Sequence, residues 1–179
     1  MAIVKDNILL QMVRGTIANQ VTIYERNGQT IMAKKRGKSN KKPTARQLEA
    51  RKKMTQATAR ALLLLQDPEL EAYYASLAGP GQNAYNMAVK DAYHSPDIQH
   101  IRLEDKQVVV TAKDQFRVAE VKVQVIDADG VIAHSGSAVL GRNGVDWHYK
   151  FAALPASGTI IAIAVDLPGN ETVQELLIE

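Results

Sequence analysis

The chain has 179 residues and is 46% hydrophobic, which is enough for one ordinary domain or two small ones. It contains no cysteine, so disulfides, thiolate zinc sites, iron–sulfur clusters and thiol nucleophiles are excluded. The net charge of +3 hides an asymmetry, because residues 1–60 hold 14 Lys/Arg and 3 Asp/Glu whereas residues 61–179 hold 8 and 16. The basic part has two candidate partners: an external polyanion, or the acidic part of its own or a neighbouring copy.

The N-terminal stretch "MAIVKDNILLQMVRG" lacks the basic n-region, the long apolar region and the cleavage site of a secretory signal. We therefore interpret it as part of the fold. The longest uninterrupted candidate for a membrane span, "ALLLL" at 61–65, is far shorter than the ~20 residues that a span needs. These features predict a cytoplasmic protein without membrane insertion, while signal-independent export and prior removal of a signal stay open.

Residues 20–34 predict a β-hairpin. Val21 and Ile23 alternate with polar residues, and Ile31 resumes the alternation after Asn27-Gly28. Asn-Gly tolerates the positive φ angles of a type I′ turn, which is the preferred turn of tight hairpins.

A polar segment from 37 to 43 then predicts a loop, and Thr44 predicts the start of a helix. Thr44 and Gln47 have the spacing of a capping box. In the helix that follows, we expect Leu48 and Met54 to point inward with the apolar run 57–65, while the Arg and Lys side chains face out.

Two shorter helices are predicted next. Asp67 can cap a helix whose first position is Pro68, and this helix should end at the "AGPG" of 78–81. A third helix is predicted over 83–93. The middle of the chain is therefore a small helical unit.

After residue 97 the sequence changes to short segments rich in β-branched residues, with turn signals about every ten residues. Val121, Val123 and Val125 alternate with polar neighbours, as expected for a strand with one buried face. Including an opening strand at 98–103, seven strands are predicted. The predicted fold class is α+β: an N-terminal β-hairpin plus about three helices over 1–95, then an all-β immunoglobulin-like sandwich over 96–179.

The C-terminal part resembles bacterial immunoglobulin-like and fibronectin type III-like modules. The resemblance is carried by "KDQFRVAEVKVQVIDADGVIAHSGSAV", a late "WHY", and an Ala-x-Asp-x-x-Gly-Asn element formed by Ala164, Asp166, Gly169 and Asn170. The front half, with "IYERNGQTIMAKK" and "KKPTARQLEARKKM", is similar to uncharacterised bacterial proteins that join a hairpin and helices to such a module. The module lacks the paired cysteines of antibody domains, and Trp147 falls late in the strand order. The resemblance implies a fold and no activity.

The sequence contains no motif for a catalytic nucleophile, a phosphate loop or a zinc protease. His94 and His100 match no standard metal-binding spacing, and His134 and His148 are scattered, so surface or turn roles are favoured over a metal site. Five residues with side-chain oxygens are candidates for a calcium site: Asp114, Asp127, Asp129, Asp166 and Asn170. Ordinary roles in turns are favoured over calcium binding for these residues. We predict no cofactor.

Four tyrosines, Tyr73, Tyr74, Tyr85 and Tyr93, recur at helical spacings. They are interpreted as packing against a neighbouring sheet in preference to forming an interaction surface.

A cluster of cations within 33–54 is the feature with the clearest functional implication. These candidate polyanion-binding residues, called here the basic segment, are Lys34, Lys35, Arg36, Lys38, Lys41, Lys42, Arg46, Arg51, Lys52 and Lys53. The segment itself contains no aromatic residue for base stacking and no recognised nucleic-acid motif surrounds it.

The leading hypothesis is therefore a non-enzymatic interaction or structural protein that acts through protein–protein contacts or self-association. The alternative is a nucleic-acid-binding accessory protein that uses the basic segment. A sandwich that binds carbohydrate or another ligand ranks third, and an enzyme ranks last.

Overall fold

The computed structural model describes residues 2–4, 10, 13–37, 41–151, 153 and 155–178. Over these residues it contains three helices and twelve strands, and the strands form three antiparallel sheets. The predicted α+β class is confirmed. No helix among the described residues is long and apolar enough to span a bilayer.

The first sheet is built around the predicted hairpin. Its strands are β1 (Ala2–Val4), β2 (Gly15–Ile17), β3 (Val21–Arg26) and β4 (Gln29–Lys34), in the order β1-β4-β3-β2. Asn27 and Gly28 have φ angles of 52° and 72°, as a type I′ turn requires, so the predicted hairpin is confirmed. It occupies the centre of a four-stranded sheet because β1 and β2 pair with its two outer edges.

Three helices follow: α1 (Ala45–Leu64), α2 (Pro68–Ser76) and α3 (Ala84–Tyr93). The predicted capping box of α1 is confirmed, since the Thr44 hydroxyl accepts from the Gln47 amide at 3.3 Å and Gln47 Oε1 accepts from the Thr44 amide at 3.0 Å. Asp67 caps α2, which begins with proline as predicted, and Asn83 caps α3. The helix starts are thus set by local side chains that satisfy the free amides of the first turn.

The expected inward orientation of Leu48 and Met54 is wrong. Their side chains are 52% and 46% exposed, and the buried residues of α1 are Ala57 and Ala61. The reason lies in the helix lengths. At 1.5 Å per residue the twenty residues of α1 extend about 30 Å, whereas α3 has only ten residues and covers about half of that length.

The C-terminal strands form two sheets. In chain order they are β5 (Asp97–Glu104), β6 (Gln107–Lys113), β7 (Val118–Asp127), β8 (Ile132–Ser137), β9 (Val139–Leu140), β10 (Asp146–Lys150), β11 (Gly158–Asp166) and β12 (Glu171–Ile178). One sheet has the order β5-β6-β10-β9 and the other β12-β11-β7-β8.

Eight strands are therefore described in this region where seven were predicted. The difference arises in "VIAHSGSAVL", which was predicted as one strand. Ser137 pairs with Lys122 in one sheet, whereas Val139 pairs with His148 in the other. The chain crosses between the sheets at the small, buried Ala138.

The two C-terminal sheets share one hydrophobic core. Val121, Val123 and Val125 of β7 are fully buried, as their alternation predicted. The buried residues that pack with them come from both sheets and from the intervening loops: Ile98, Val108, Val110, Ala112, Ala138, Trp147, Phe151, Ile160, Ala162 and Ala164.

A second, smaller core joins the helices to one end of these sheets. Ala61, Tyr74, Met87 and Ala88 are buried together. Phe116 and Leu167, from the segments that follow β6 and β11, pack against this cluster. The helical unit therefore packs directly against the sheet region.

Candidate functional site

The structure distributes the basic segment over two elements. Lys34 ends β4 and is followed by Lys35 and Arg36; Lys41 and Lys42 precede α1, and the remaining cations lie on its first three turns: Arg46, Arg51, Lys52 and Lys53. Lys38 lies outside the described residues. The other nine are exposed.

Lys35 and Lys53 are among the cations of the basic segment that make local contacts. The ammonium of Lys35 donates to Asn19 Oδ1. The Lys53 ammonium lies 4.7 Å from the centre of the Tyr93 ring, a cation–π contact that ties α1 to the end of α3.

The first three turns of α1 have no buried residue. Every residue from 45 to 56 is exposed, and burial begins at Ala57. Most helices in folded proteins are stabilised by packing one apolar face. The exposed half of α1 is instead stabilised by its capping box and by its continuity with the second half of the helix, which packs against the core.

A row of exposed residues follows the outer side of α1. We call it the α1 seam, and its members are Leu48, Lys52, Thr55, Ala59 and Leu62. They are spaced by four, three, four and three residues, the heptad spacing that places side chains along one line of a helix. Leucines stand at both ends of the row, 52% and 55% exposed, and Leu63 beside it is 65% exposed.

The far end of α1 adjoins an acidic surface. Asp67, Glu69 and Glu71 begin α2 and are exposed; we call them the acidic end. Acids in the first turn of a helix are stabilised by the helix dipole. The basic start of α1 and the acidic end of the same helical unit therefore carry opposite charge.

A second feature lies on the first sheet. A cavity of about 500 Å³, called here the Tyr24 pocket, is lined by Thr22, Tyr24, Ala33, Lys34 and Arg36. Sequence reasoning weighed only the aromatic content of the basic segment and missed Tyr24, which lies on the preceding strand. The hairpin register places Thr22, Tyr24 and Ala33 on one face of the sheet, and the cavity extends from them to Lys34 and Arg36 at the end of β4.

The predicted packing of the four tyrosines against the sheet region is found for Tyr73 and Tyr74, which share a core with Phe116. Tyr74 is fully buried, with its ring centre 5.4 Å from that of Tyr73 and 5.9 Å from that of Phe116. Tyr93 is partly buried and packs edge-on against His94. Tyr85 differs, because its side chain is exposed.

A buried carboxylate lies inside the helical unit. Asp91 is fully buried, and its Oδ2 accepts a hydrogen bond of 2.5 Å from the Tyr74 hydroxyl. Its Oδ1 has no hydrogen-bond partner among the described residues. Burial raises the pKa of Asp91 to about 7, with a further rise from the nearby Asp114 and Asp166, although the Tyr74 hydrogen bond lowers it.

The Ala-x-Asp-x-x-Gly-Asn element forms a turn that contacts the helices. Buried Asp166 accepts from the backbone and side-chain amides of Asn170 at 2.5 and 2.7 Å, and Gly169 has a φ of 78°. The Asn170 side chain also donates to the carbonyls of Ala92 and His94 at 3.3 and 3.1 Å. Burial raises the pKa of Asp166 as well. The sequence located this motif, but its contact with α3 required the fold.

The residues weighed for calcium do not form one group. Gly158 pairs with Asp127, whereas Asp166 pairs with Val118, so Asp127 and Asp166 lie at opposite ends of the β7–β11 pair. Asp127 Oδ1 accepts from the amides of Asp129 and Val131 at 3.0 and 2.9 Å, which is a turn role.

The histidines are likewise dispersed. His94 caps α3, His100 lies on β5, His148 lies on β10, and His134 Nε2 is 2.6 Å from the Ala153 carbonyl oxygen. Over the ranges that the structure describes, no group of three or more His, Asp or Glu residues is arranged to hold a metal ion.

No protein-family model matches the chain, and no curated protein matches it either. Among solved structures, it is similar to an engineered protein from a structural genomics consortium, at 14% identity over 56% of this chain and with a TM-score of 0.34. The chain spans 30% of that protein's length. It is also similar to a hypothetical protein from Pyrococcus horikoshii OT3, at 12% identity over 48% of this chain and 87% of that one, with a TM-score of 0.30.

Proposed function

We propose that this chain is a non-enzymatic interaction protein that self-associates through the exposed face of α1. The observation that carries the proposal is the exposure of the whole first half of this helix. The partner that we propose is a second copy of the chain, because the same helical unit presents both a basic and an acidic surface.

The α1 seam supports an antiparallel pairing of two α1 helices. Thr55 stands midway between Leu48 and Leu62, so a two-fold axis at Thr55 places each Leu48 opposite the Leu62 of the other copy. The small Thr55 and Ala59 allow close approach at the centre of the contact. Burial of the exposed leucines supplies the hydrophobic gain.

Charge complementarity selects the antiparallel arrangement. With the helices antiparallel, the basic start of one α1, including Lys42 and Arg46, faces the acidic end of the other copy. A parallel arrangement would bring the two basic starts together. Because exposed charges are screened by salt, the electrostatic part of this association weakens as ionic strength rises.

We further infer that residues 96–179 form an immunoglobulin-like module. The two sheet orders, β5-β6-β10-β9 and β12-β11-β7-β8, support this, because they correspond to the ABED and GFC arrangements of such sandwiches with one added edge strand. A boundary near 95/96 is supported by the end of α3 at Tyr93 and the start of β5 at Asp97.

Sedimentation velocity over a range of protein concentrations tests the self-association. We expect the wild type to form a dimer and the Leu48→Asp/Leu62→Asp double variant to stay monomeric at the same concentrations. Leu177→Asp is the matched control, since this leucine is 72% exposed on β12 and lies outside the seam. A wild type that is monomeric throughout, or a double variant that associates like the wild type, would contradict the proposal.

The second candidate function is nucleic-acid binding. The observation that favours it is the position of Tyr24 beside Lys34 and Arg36 in one cavity.

A further inference from the structure

The Tyr24 pocket combines an aromatic side chain with two cations. Tyr24 is partly buried in the first sheet, whereas Lys34 and Arg36 are exposed at its rim. The half-buried ring is held by a strand that pairs on both sides, with β2 and with β4. Its position is therefore set before a ligand arrives.

The pocket is electrostatically one-sided. Of the described residues that line it, two are cations and none is an acid. Glu25, which follows Tyr24 on β3, does not line the cavity and forms an ion pair with Arg14. The cations of the pocket are therefore open to an external anion.

This combination matches the chemistry of an unpaired nucleotide. A base can stack on an aromatic ring while its phosphates contact Lys and Arg, and this mode requires no sequence-specific hydrogen bonds. In a duplex the bases are already stacked, so a single aromatic ring on a sheet has no base face to contact. A cavity of about 500 Å³ is large enough for one base with its sugar.

We propose that the Tyr24 pocket binds single-stranded nucleic acid, with a base on Tyr24 and backbone phosphates on Lys34 and Arg36. The site is separate from the α1 seam, so the Leu48→Asp/Leu62→Asp variant retains this binding. Binding is tolerant of sequence and strongly dependent on salt.

Fluorescence anisotropy with a labelled oligothymidine of about 15 nucleotides at low salt tests the proposal. We expect Tyr24→Ala to raise the Kd by about tenfold and Tyr24→Phe to leave it nearly unchanged, because stacking needs the ring and not the hydroxyl. Tyr85→Ala, which removes an exposed tyrosine on α3, is the control and keeps the wild-type Kd.

The phosphate contacts have their own readout. The slope of log K against log salt is about −0.7 per neutralised phosphate for single strands, so Lys34→Ala/Arg36→Ala should flatten it by about 1.4. Lys106→Ala/Arg142→Ala, which removes two exposed cations elsewhere, should leave the slope as in the wild type. Equal slopes for the two double variants would overturn the proposal.

Two further measurements distinguish specific binding at the Tyr24 pocket from misfolding of the variants and from nonspecific binding of polyanions. Photo-crosslinking of wild-type protein to an oligonucleotide containing 4-thiothymidine should map to residues 21–36, and crosslinks confined to other segments would overturn the proposal. Heparin or duplex DNA that competes as well as the single strand would also overturn it, because neither offers an unstacked base.

Discussion

The two halves of α1 belong to one continuous helix yet have opposite environments. The second half buries Ala57 and Ala61 against the helical core, whereas the first half is exposed all round. The two halves therefore have different roles. The second half stabilises the fold, and the exposed first half is available for binding. Substitutions at matched positions in the two halves should separate these roles.

The largest expected contrast is between Ala61→Asp and Ala50→Asp. Ala61 is fully buried, so a charge there disrupts the helical core and should lower the free energy of unfolding by more than about 3 kcal/mol. Ala50 is exposed in the first half, and the same change there should cost only the helix propensity, about 0.7 kcal/mol or less. Urea unfolding measures both, and equal losses would contradict the division.

The next contrast concerns pH and the buried Asp91. Its pKa near 7 in the fold lies above the value near 4 of an unfolded chain, so the native state binds the proton more tightly. The stability from this group is fully present below about pH 4 and is lost as the pH rises through about 7, by up to ~4 kcal/mol.

Asp91→Asn should remove this dependence. Unfolding of the variant and the wild type, followed from pH 4 to pH 8, should give a stability difference that shifts in favour of the variant as the pH rises. Asp97→Asn, which makes the same replacement at an exposed position on β5, is the control. A stability difference for Asp91→Asn that does not change with pH would contradict the raised pKa of Asp91.

A smaller contrast is expected at the helix caps. Thr44→Ala removes the capping box of the exposed half and should cost about 1 kcal/mol, seen as faster hydrogen exchange in the first turns of α1 only. Asn83→Ala removes the cap of α3, which packs in the helical core. A loss of similar size should therefore appear in the free energy of global unfolding. Global destabilisation of the same size by both variants would contradict the local character of the exposed half.

The smallest effect is expected for Leu48→Ala and Met54→Ala. Both side chains are about half exposed, so in monomeric protein each change should alter the unfolding free energy by less than about 0.5 kcal/mol. Thermal unfolding at low protein concentration measures this. A loss of 2 kcal/mol or more would contradict the exposed positions of these side chains and support the inward orientation that the sequence pattern predicted.

The features predictable from the sequence are those with local causes. Thr44 with Gln47, Asp67 with Pro68, and Asn27 with Gly28 each specify a cap or a turn through nearby backbone atoms, and all three are confirmed.

Features that depend on distant segments were not predictable. The exposure of Leu48 could be predicted only by knowing that α3 ends too early to cover it. The crossing at Ala138 depends on which sheet each neighbour pairs with, and the contact of Asn170 with α3 joins residues far apart in the chain.

The candidate site divides in the same way. Composition identified the cations of the basic segment, and their exposure is as expected for a charged surface. Tyr24 was missed because it lies on the strand before the basic segment, and only the folded hairpin brings it into one cavity with Lys34 and Arg36. The α1 seam was missed because its leucines were assigned to the core.

Oxidative crosslinking of Thr55→Cys tests the central claim most directly. The chain has no cysteine, so one engineered thiol reports without background. Antiparallel pairing about Thr55 places the two thiols of a dimer close enough for a disulfide, which requires Cα atoms within about 7 Å. We predict a covalent dimer on a non-reducing gel for Thr55→Cys and little for Leu177→Cys; equal crosslinking of the two, or none with Thr55→Cys, would contradict self-association through α1.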